Sequence, residues 1–138
     1  MKKDEYIIKL ENAFKKELLD INNPQILEFG VRHGQSTYNE KNLFTGWKNV
    51  ALTLKGIQEA HEVAPLINHI TFTHAFTSKL KRAQNTLKII QKVLNVQKKF
   101  IEVWEFNERH YGSLTGLNKV EMIKKLGEDK VYKFRRNW

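Results

Sequence analysis

The chain of 138 residues contains no cysteine, only two prolines and no long apolar run. Without cysteine there is no disulfide framework, no thiolate zinc site and no cysteine nucleophile, and a reducing cytoplasm is the expected location. Charges break every apolar stretch well short of the ~18 residues that a membrane-spanning helix needs, so no membrane segment is expected. The five histidines lack HExxH or any other paired ligand spacing, which leaves no metal site to expect. With 41% hydrophobic residues and seven glycines, the composition is that of a globular chain rather than a disordered or collagen-like one. The length suits one small domain.

Positive charge is what the chain has in excess. Its 24 Lys and Arg against 15 Asp and Glu give +9 at neutral pH, and the excess lies entirely after residue 78. Residues 1–22 carry five basic and five acidic groups, residues 23–78 four of each, and residues 79–138 fifteen basic against six acidic. Some of these lysines, such as Lys88, Lys92, Lys98, Lys99, Lys124 and Lys125, read equally well as solvated helix faces. The others call for an anion. Exposed stacking aromatics do not interleave with the basic residues and no RNA-reading motif is present, so a small polyanion is the expected partner, not nucleic acid.

Periodicity divides the chain into alternating elements. Tyr6, Ile7, Leu10, Phe14 and Leu18 recur at helical spacing, so Asp4 to Asp20 is expected to form an amphipathic helix. We divide the chain into this extension, residues 1–22, and a domain over 23–138. Strands are expected at Ile26 to Val31, Ile70 to Phe76 and Phe100 to Val103. Thr53 should cap a helix that Pro65 kinks or ends, and Ser78 should cap another running to Leu94. Asn118 should cap a helix through Leu126 with Gly127 at its end, followed by a further turn or two from Val131. Strand, helix, strand, helix, strand describes a parallel sheet with right-handed crossovers. Ligands of such sheets sit beyond the carboxyl ends of the strands. Arg32-His33, Ser78 to Arg82 and Glu108-Arg109 all fall there.

Among these residues His33 stands out, although a lone histidine is ordinarily structural. It directly follows a strand, beside Arg32 and before Gly34, Ser36 and Thr37, a loop suited to phosphate through arginine forks, hydroxyls and backbone N–H groups. Neighbouring guanidinium charge keeps an imidazole neutral and therefore nucleophilic. Glu108 is either a surface partner of Arg109 or the acid and base that phosphoryl transfer between oxygens requires. His61, His69, His74 and His110 are read as structural.

Val31-Arg32-His33-Gly34-Gln35-Ser36-Thr37-Tyr38-Asn39 resembles the signature of the histidine phosphatase superfamily. The motifs Phe44-Thr45-Gly46-Trp47, Thr77-Ser78-Lys79-Leu80 with Arg82-Ala83, Asn107-Glu108-Arg109-His110-Tyr111-Gly112, Leu114-Thr115-Gly116-Leu117-Asn118-Lys119 and Arg135-Arg136 resemble, in order and spacing, the cofactor-dependent phosphoglycerate mutases. The resemblance runs from about Ile26 to Trp138. It implies a three-layer α/β/α fold with a mostly parallel sheet, incomplete at its carboxyl end, where family members continue with more sheet and helices and a second active-site histidine. An unpaired sheet edge would then favour a homo-oligomer.

The same resemblance implies that His33 becomes a phosphohistidine, with Arg32, Asn39 and Arg82 on the phosphoryl oxygens and Glu108 as proton shuttle. Thr45 and Gly46 would touch substrate, while Arg109, Tyr111, Lys119, Arg135 and Arg136 would clamp the carboxylate and distal phosphate of phosphoglycerate. It further implies 2,3-bisphosphoglycerate as phosphoryl primer and the interconversion of 3- and 2-phosphoglycerate in glycolysis and gluconeogenesis, without a metal. Two other readings stay open: a phosphatase of the same superfamily, and a truncated, non-catalytic chain that binds polyanions or a partner.

Overall fold

The computed structural model describes residues 29–136. The helix expected over residues 4–20 and the division at residues 22 and 23 lie outside them. Helix α1 is the single turn Thr37–Glu40, α2 spans Leu54–Val63, α3 Lys81–Val93, α4 Lys119–Leu126 and α5 Glu128–Arg136. Two strands, β1 at Phe76–Thr77 and β2 at Ile101–Glu102, pair in parallel with Phe76 opposite Ile101. Helix α3 makes the crossover between them, so the arrangement is α/β and its sheet is parallel, as expected.

Local chemistry accounts for the helix ends. The Thr53 hydroxyl accepts the Gly56 N–H at 3.1 Å and starts α2. At Ala64 the helix tightens into a 3₁₀ turn over Ala64–Ile67 with Pro65 in its first turn, because proline has no N–H with which to continue the α pattern. Asn118 Oδ1 accepts the N–H groups of Val120 and Glu121 at the start of α4, and Gly127, with φ of 83°, ends it. Only the left-handed region places a residue there, and glycine enters it without a Cβ penalty.

Helix α2 packs against α3. Between them Ala64, Ile67 and Ile90 form a buried cluster, with Val31, Val63, Ile70, Phe72 and Leu94 around it. Phe44, fully buried, anchors the other side of the fold and lies 4.9 Å from the Tyr111 ring between centroids. Its backbone pairs with the segment before α4, donating to the Leu117 carbonyl and accepting from the Gly116 N–H. Helices α4 and α5 pack on each other, and Val131 of α5 is buried.

Four expectations about the elements need correction. Residues 29–31 of the first expected strand fall outside β1 and β2, while residues 26–28 lie outside the described region. The second strand shrinks from 70–76 to 76–77, and the third to 101–102. Ile70 and Phe72 bury their side chains on the α2–α3 cluster, and the Ile70 N–H turns back to the Ile67 carbonyl at 3.1 Å. Apolar packing is thus met without a ladder, and residue type alone does not distinguish the two outcomes. Ser78, finally, does not cap α3, which begins three residues later after Leu80. The Lys79 and Lys81 N–H groups donate instead to Asn107 Oδ1 and Asn49 Oδ1, at 2.9 and 3.0 Å. Caps lent by distant residues leave no mark in local sequence.

Candidate active site

His33 is half-buried behind the start of α1. Its Nε2 lies 3.1 Å from Arg82 Nε, and its Nδ1 lies 2.7 Å from the Gly34 carbonyl. A guanidinium has no acceptor, so Nε2 must offer its lone pair. The ring proton therefore sits on Nδ1 and is donated to Gly34. Burial lowers the imidazole pKa below its ordinary value of 6.5; the Arg82 and Arg32 charges lower it further, against the Gly34 hydrogen bond and the Glu108 charge. The ring is held neutral, in one tautomer, with the Nε2 electron pair turned to Arg82.

Arg82 projects from the first turn of α3 and is 1% exposed. Among the described residues its three hydrogen bonds all go to neutral acceptors: His33, the Lys48 carbonyl at 3.0 Å and the Gly46 carbonyl at 2.9 Å. Burial lowers its pKa, yet an arginine remains charged at neutral pH. A buried cation whose hydrogen bonds reach only neutral groups makes a site for an anion. Gly46 is required where it stands. Its φ is +53°, and a Cβ would lie 3.1 Å from both the Arg109 carbonyl and the Tyr111 nitrogen. Thr45, beside it, is buried.

The loop after His33 departs from expectation in how it is hydrogen-bonded. The Gly34 N–H donates to Thr86 Oγ1, that of Gln35 to Glu59 Oε2, that of Ser36 to Asn39 Oδ1 and that of Thr37 to the Ala51 carbonyl. All four donors are taken, so this backbone is not a phosphate cradle. The Ser36 hydroxyl, fully buried, closes a capping box with Asn39 and is likewise committed. Gly34 is close-packed against protein rather than opened to a ligand, since a Cβ there would come within 2.1 Å of the Gly56 carbonyl oxygen. Donors for an anion must come from side chains.

Electrostatics place most of those side chains around Glu108. Its carboxylate accepts the Arg109 N–H at 3.2 Å, and its carbonyl accepts the Trp47 indole N–H at 2.6 Å. Its charge acts on His33, Arg82, Tyr111 and Lys119. Burial raises the Tyr111 pKa, reinforced by Glu108 and opposed by Arg109, Arg135 and Arg136. Burial lowers the Lys119 pKa, with Arg135 and Arg32 adding to the effect and Glu108 opposing it. One field therefore joins His33, Arg32, Arg82, Glu108, Arg109, Tyr111, Lys119, Arg135 and Arg136. Arg32 is exposed. Arg109 also holds the Phe134 carbonyl of α5 at 3.2 Å, and the Arg136 guanidinium lies 5.4 Å from the Tyr132 ring. Asn39 is placed by the capping box, its Oδ1 spent on Ser36.

Of the other histidines, His61, His69 and His74 are exposed, while His110 accepts the Gly112 N–H at 3.0 Å and stands edge-on to Trp47. Among the described residues no group of three His, Asp or Glu could hold a metal ion. Sequence reasoning missed Thr86, Glu59 and Trp47. Thr86 takes the Gly34 N–H and donates to the Arg82 carbonyl at 2.8 Å, tying the His33 loop to α3. Its position four residues after Arg82, on one helix face, was the available signal.

Residues 29–138 match the histidine phosphatase superfamily, branch 1. A 2,3-bisphosphoglycerate-dependent phosphoglycerate mutase of Pelagibacter ubique is 49% identical over 110 residues, covering 78% of this chain and 46% of that protein. One from Borreliella burgdorferi is 50% identical over 113 residues, covering 78% and 45%. The chain thus spans about half the length of the curated relatives it matches. The fold is shared with a phosphoglycerate mutase from Bacillus anthracis, at a TM-score of 0.63 and 22% identity over 76% of this chain and 53% of that one. An imidazole paired to a buried arginine, on a chain that matches from the first described residue to the last, makes this protein a member of the histidine phosphatase superfamily.

Proposed function

We propose that this chain carries the nucleophilic half of a 2,3-bisphosphoglycerate-dependent phosphoglycerate mutase acting in the cytoplasm. The observation that supports this most directly is the Nε2 lone pair of His33 fixed against Arg82. In the proposed step Nε2 forms a bond to phosphorus while the phosphorus–oxygen bond of the donor breaks, and the released oxygen takes a proton from Glu108. Arg82 Nε–H then exchanges the imidazole for a phosphoryl oxygen, with Arg32 and the Asn39 amide on the others as charge spreads over them. In the reverse step Glu108 removes a proton from the acceptor hydroxyl, which takes the phosphoryl from phosphohistidine.

The donors suit a bisphosphate with a carboxylate, because Arg109, Lys119, Arg135 and Arg136 share one field with only Glu108 opposing them at Lys119. When bound, 2,3-bisphosphoglycerate supplies the phosphoryl group that primes His33. Thr45, Gly46 and Tyr111 would flank the substrate, which distinguishes 3- from 2-phosphoglycerate only by the position of its phosphate. A homo-oligomer is part of this proposal, and sedimentation at rising concentration reads it directly.

The reading is tested by incubating the chain with 2,3-bisphosphoglycerate labelled in phosphorus. Acid-labile label that H33A removes is the expected result, and 2-phosphoglycerate formed from 3-phosphoglycerate would extend the reading to the complete reaction. Label released chiefly as free phosphate would replace mutase with phosphatase, and no label on the wild type would end the proposal.

A further inference from the structure

The His33 ring makes its second hydrogen bond to a peptide group that is itself held from behind. Its Nδ1–H donates to the Gly34 carbonyl at 2.7 Å, and the N–H of that same Gly34–Gln35 peptide donates to Glu59 Oε2, also at 2.7 Å. Both are short for N–H···O bonds, and the second is charge-assisted. Hydrogen bonds at the two ends of one amide reinforce each other, because pulling the N–H toward a carboxylate puts more negative charge on the carbonyl oxygen. Glu59 is half-buried on α2, one turn beyond Gly56. Gly56 is where the helix meets the loop, for a Cβ at that position would lie 2.1 Å from the Gln35 carbonyl oxygen. The absence of a side chain at Gly34 and Gly56 thus lets α2 bring its carboxylate within reach of the loop.

We propose that Glu59 is a positioning residue for His33, acting through the Gly34–Gln35 peptide to hold the ring proton on Nδ1 and the lone pair on Nε2. This deepens the phosphoryl-transfer reading and rests on it for its functional consequence, but the tautomer it fixes is observable without turnover. Arg82 approaches the ring from the Nε2 side and demands the same tautomer. The imidazole is therefore specified from both ends, by a cation at the reacting nitrogen and by an anion one peptide removed from the other.

The test compares E59Q and E59L with E62Q in the full chain. Glu62 lies on the same helix, is exposed, and among the described residues accepts only from Gln58 Nε2, so E62Q removes the same charge without touching the loop. In nitrogen-15 spectra the His33 Nδ1–H resonance should move upfield in E59Q, and E59L should add a population protonated at Nε2. E62Q should match wild type. The rate of His33 labelling should fall about ten-fold in E59L, by analogy with the outer partners that orient metal-bound imidazoles, and less in E59Q, whose amide oxygen still accepts the Gln35 N–H. Should E59L fail to fold, E59Q against E62Q carries the comparison alone. Ring spectra unchanged in E59Q and E59L, or changed equally in E62Q, would overturn the proposal. Wild type that shows the Nδ1–H tautomer but takes no label would instead defeat the phosphoryl-transfer reading and leave the positioning role standing.

Discussion

In the loop that carries His33 every backbone N–H from Gly34 to Thr37 ends on a protein oxygen, whereas the cations that follow it along the chain lie close enough to oppose one another. Lys119 is disfavoured as a cation by burial and then by Arg135 and Arg32. The first region is complete without a ligand, and its hydrogen bonds fix a geometry. In the second, Glu108 only partly offsets the neighbouring cations at Lys119, an imbalance that an anion would relieve under the proposed function. Under the proposed function a nucleophile needs fixed direction and a polyanion site needs unspent charge, and the division would suit these two tasks.

Breaking the link between the regions should have the largest effect. Arg82→Met leaves the Gly46 and Lys48 carbonyls and His33 Nε2 without their donor. We expect about 3 kcal/mol of lost stability by denaturant titration, together with loss of His33 labelling. Next comes crowding within the ordered region. Gly56→Ala improves helix propensity but sets a methyl group 2.1 Å from the Gln35 oxygen, and a net loss of about 2 kcal/mol is expected by the same titration.

The repulsive region should respond in the opposite sense. Lys119→Met removes a charge that folding disfavours, so the chain should gain stability at neutral pH while its affinity for 2,3-bisphosphoglycerate falls about ten-fold by calorimetry. The sign follows from linkage. With its folded pKa below 10.5, the unfolded lysine binds more protons through that window and wild-type stability rises with pH there. Lys119→Met should lose that rise. The smallest effect concerns His33, whose folded pKa is below 6.5. As pH falls from 6.5 through the folded value, the unfolded chain takes up the proton first and stability declines. His33→Asn should show a shallower decline over the same interval in thermal melts.

Much of this was legible where cause and effect are close in sequence. Thr53 and Asn118 through their own side chains, and Pro65 and Gly127 through their own backbone, set element ends where expected. Ser78 and the strand at 70–76 were misread because their outcome depends on Asn49, Asn107 and the α2–α3 cluster, tens of residues away. At the site, His33, Arg82 and Glu108 could be singled out from residue type and position at strand ends. Glu59 and Thr86 could not, since each acts on a peptide group and not on a ligand. Gly34 and Ser36 carried a misleading signal: both suit a phosphate loop, but here they serve helix contact and capping.

The central claim is that His33 Nε2 is the atom that receives phosphorus. It is tested most directly by treating nitrogen-15-labelled chain with 2,3-bisphosphoglycerate and reading phosphorus–nitrogen coupling on the His33 ring. The account predicts coupling at Nε2, with Nδ1 still protonated against the Gly34 carbonyl. Coupling at Nδ1, or phosphorus found on another residue while His33 stays unmodified, would contradict it.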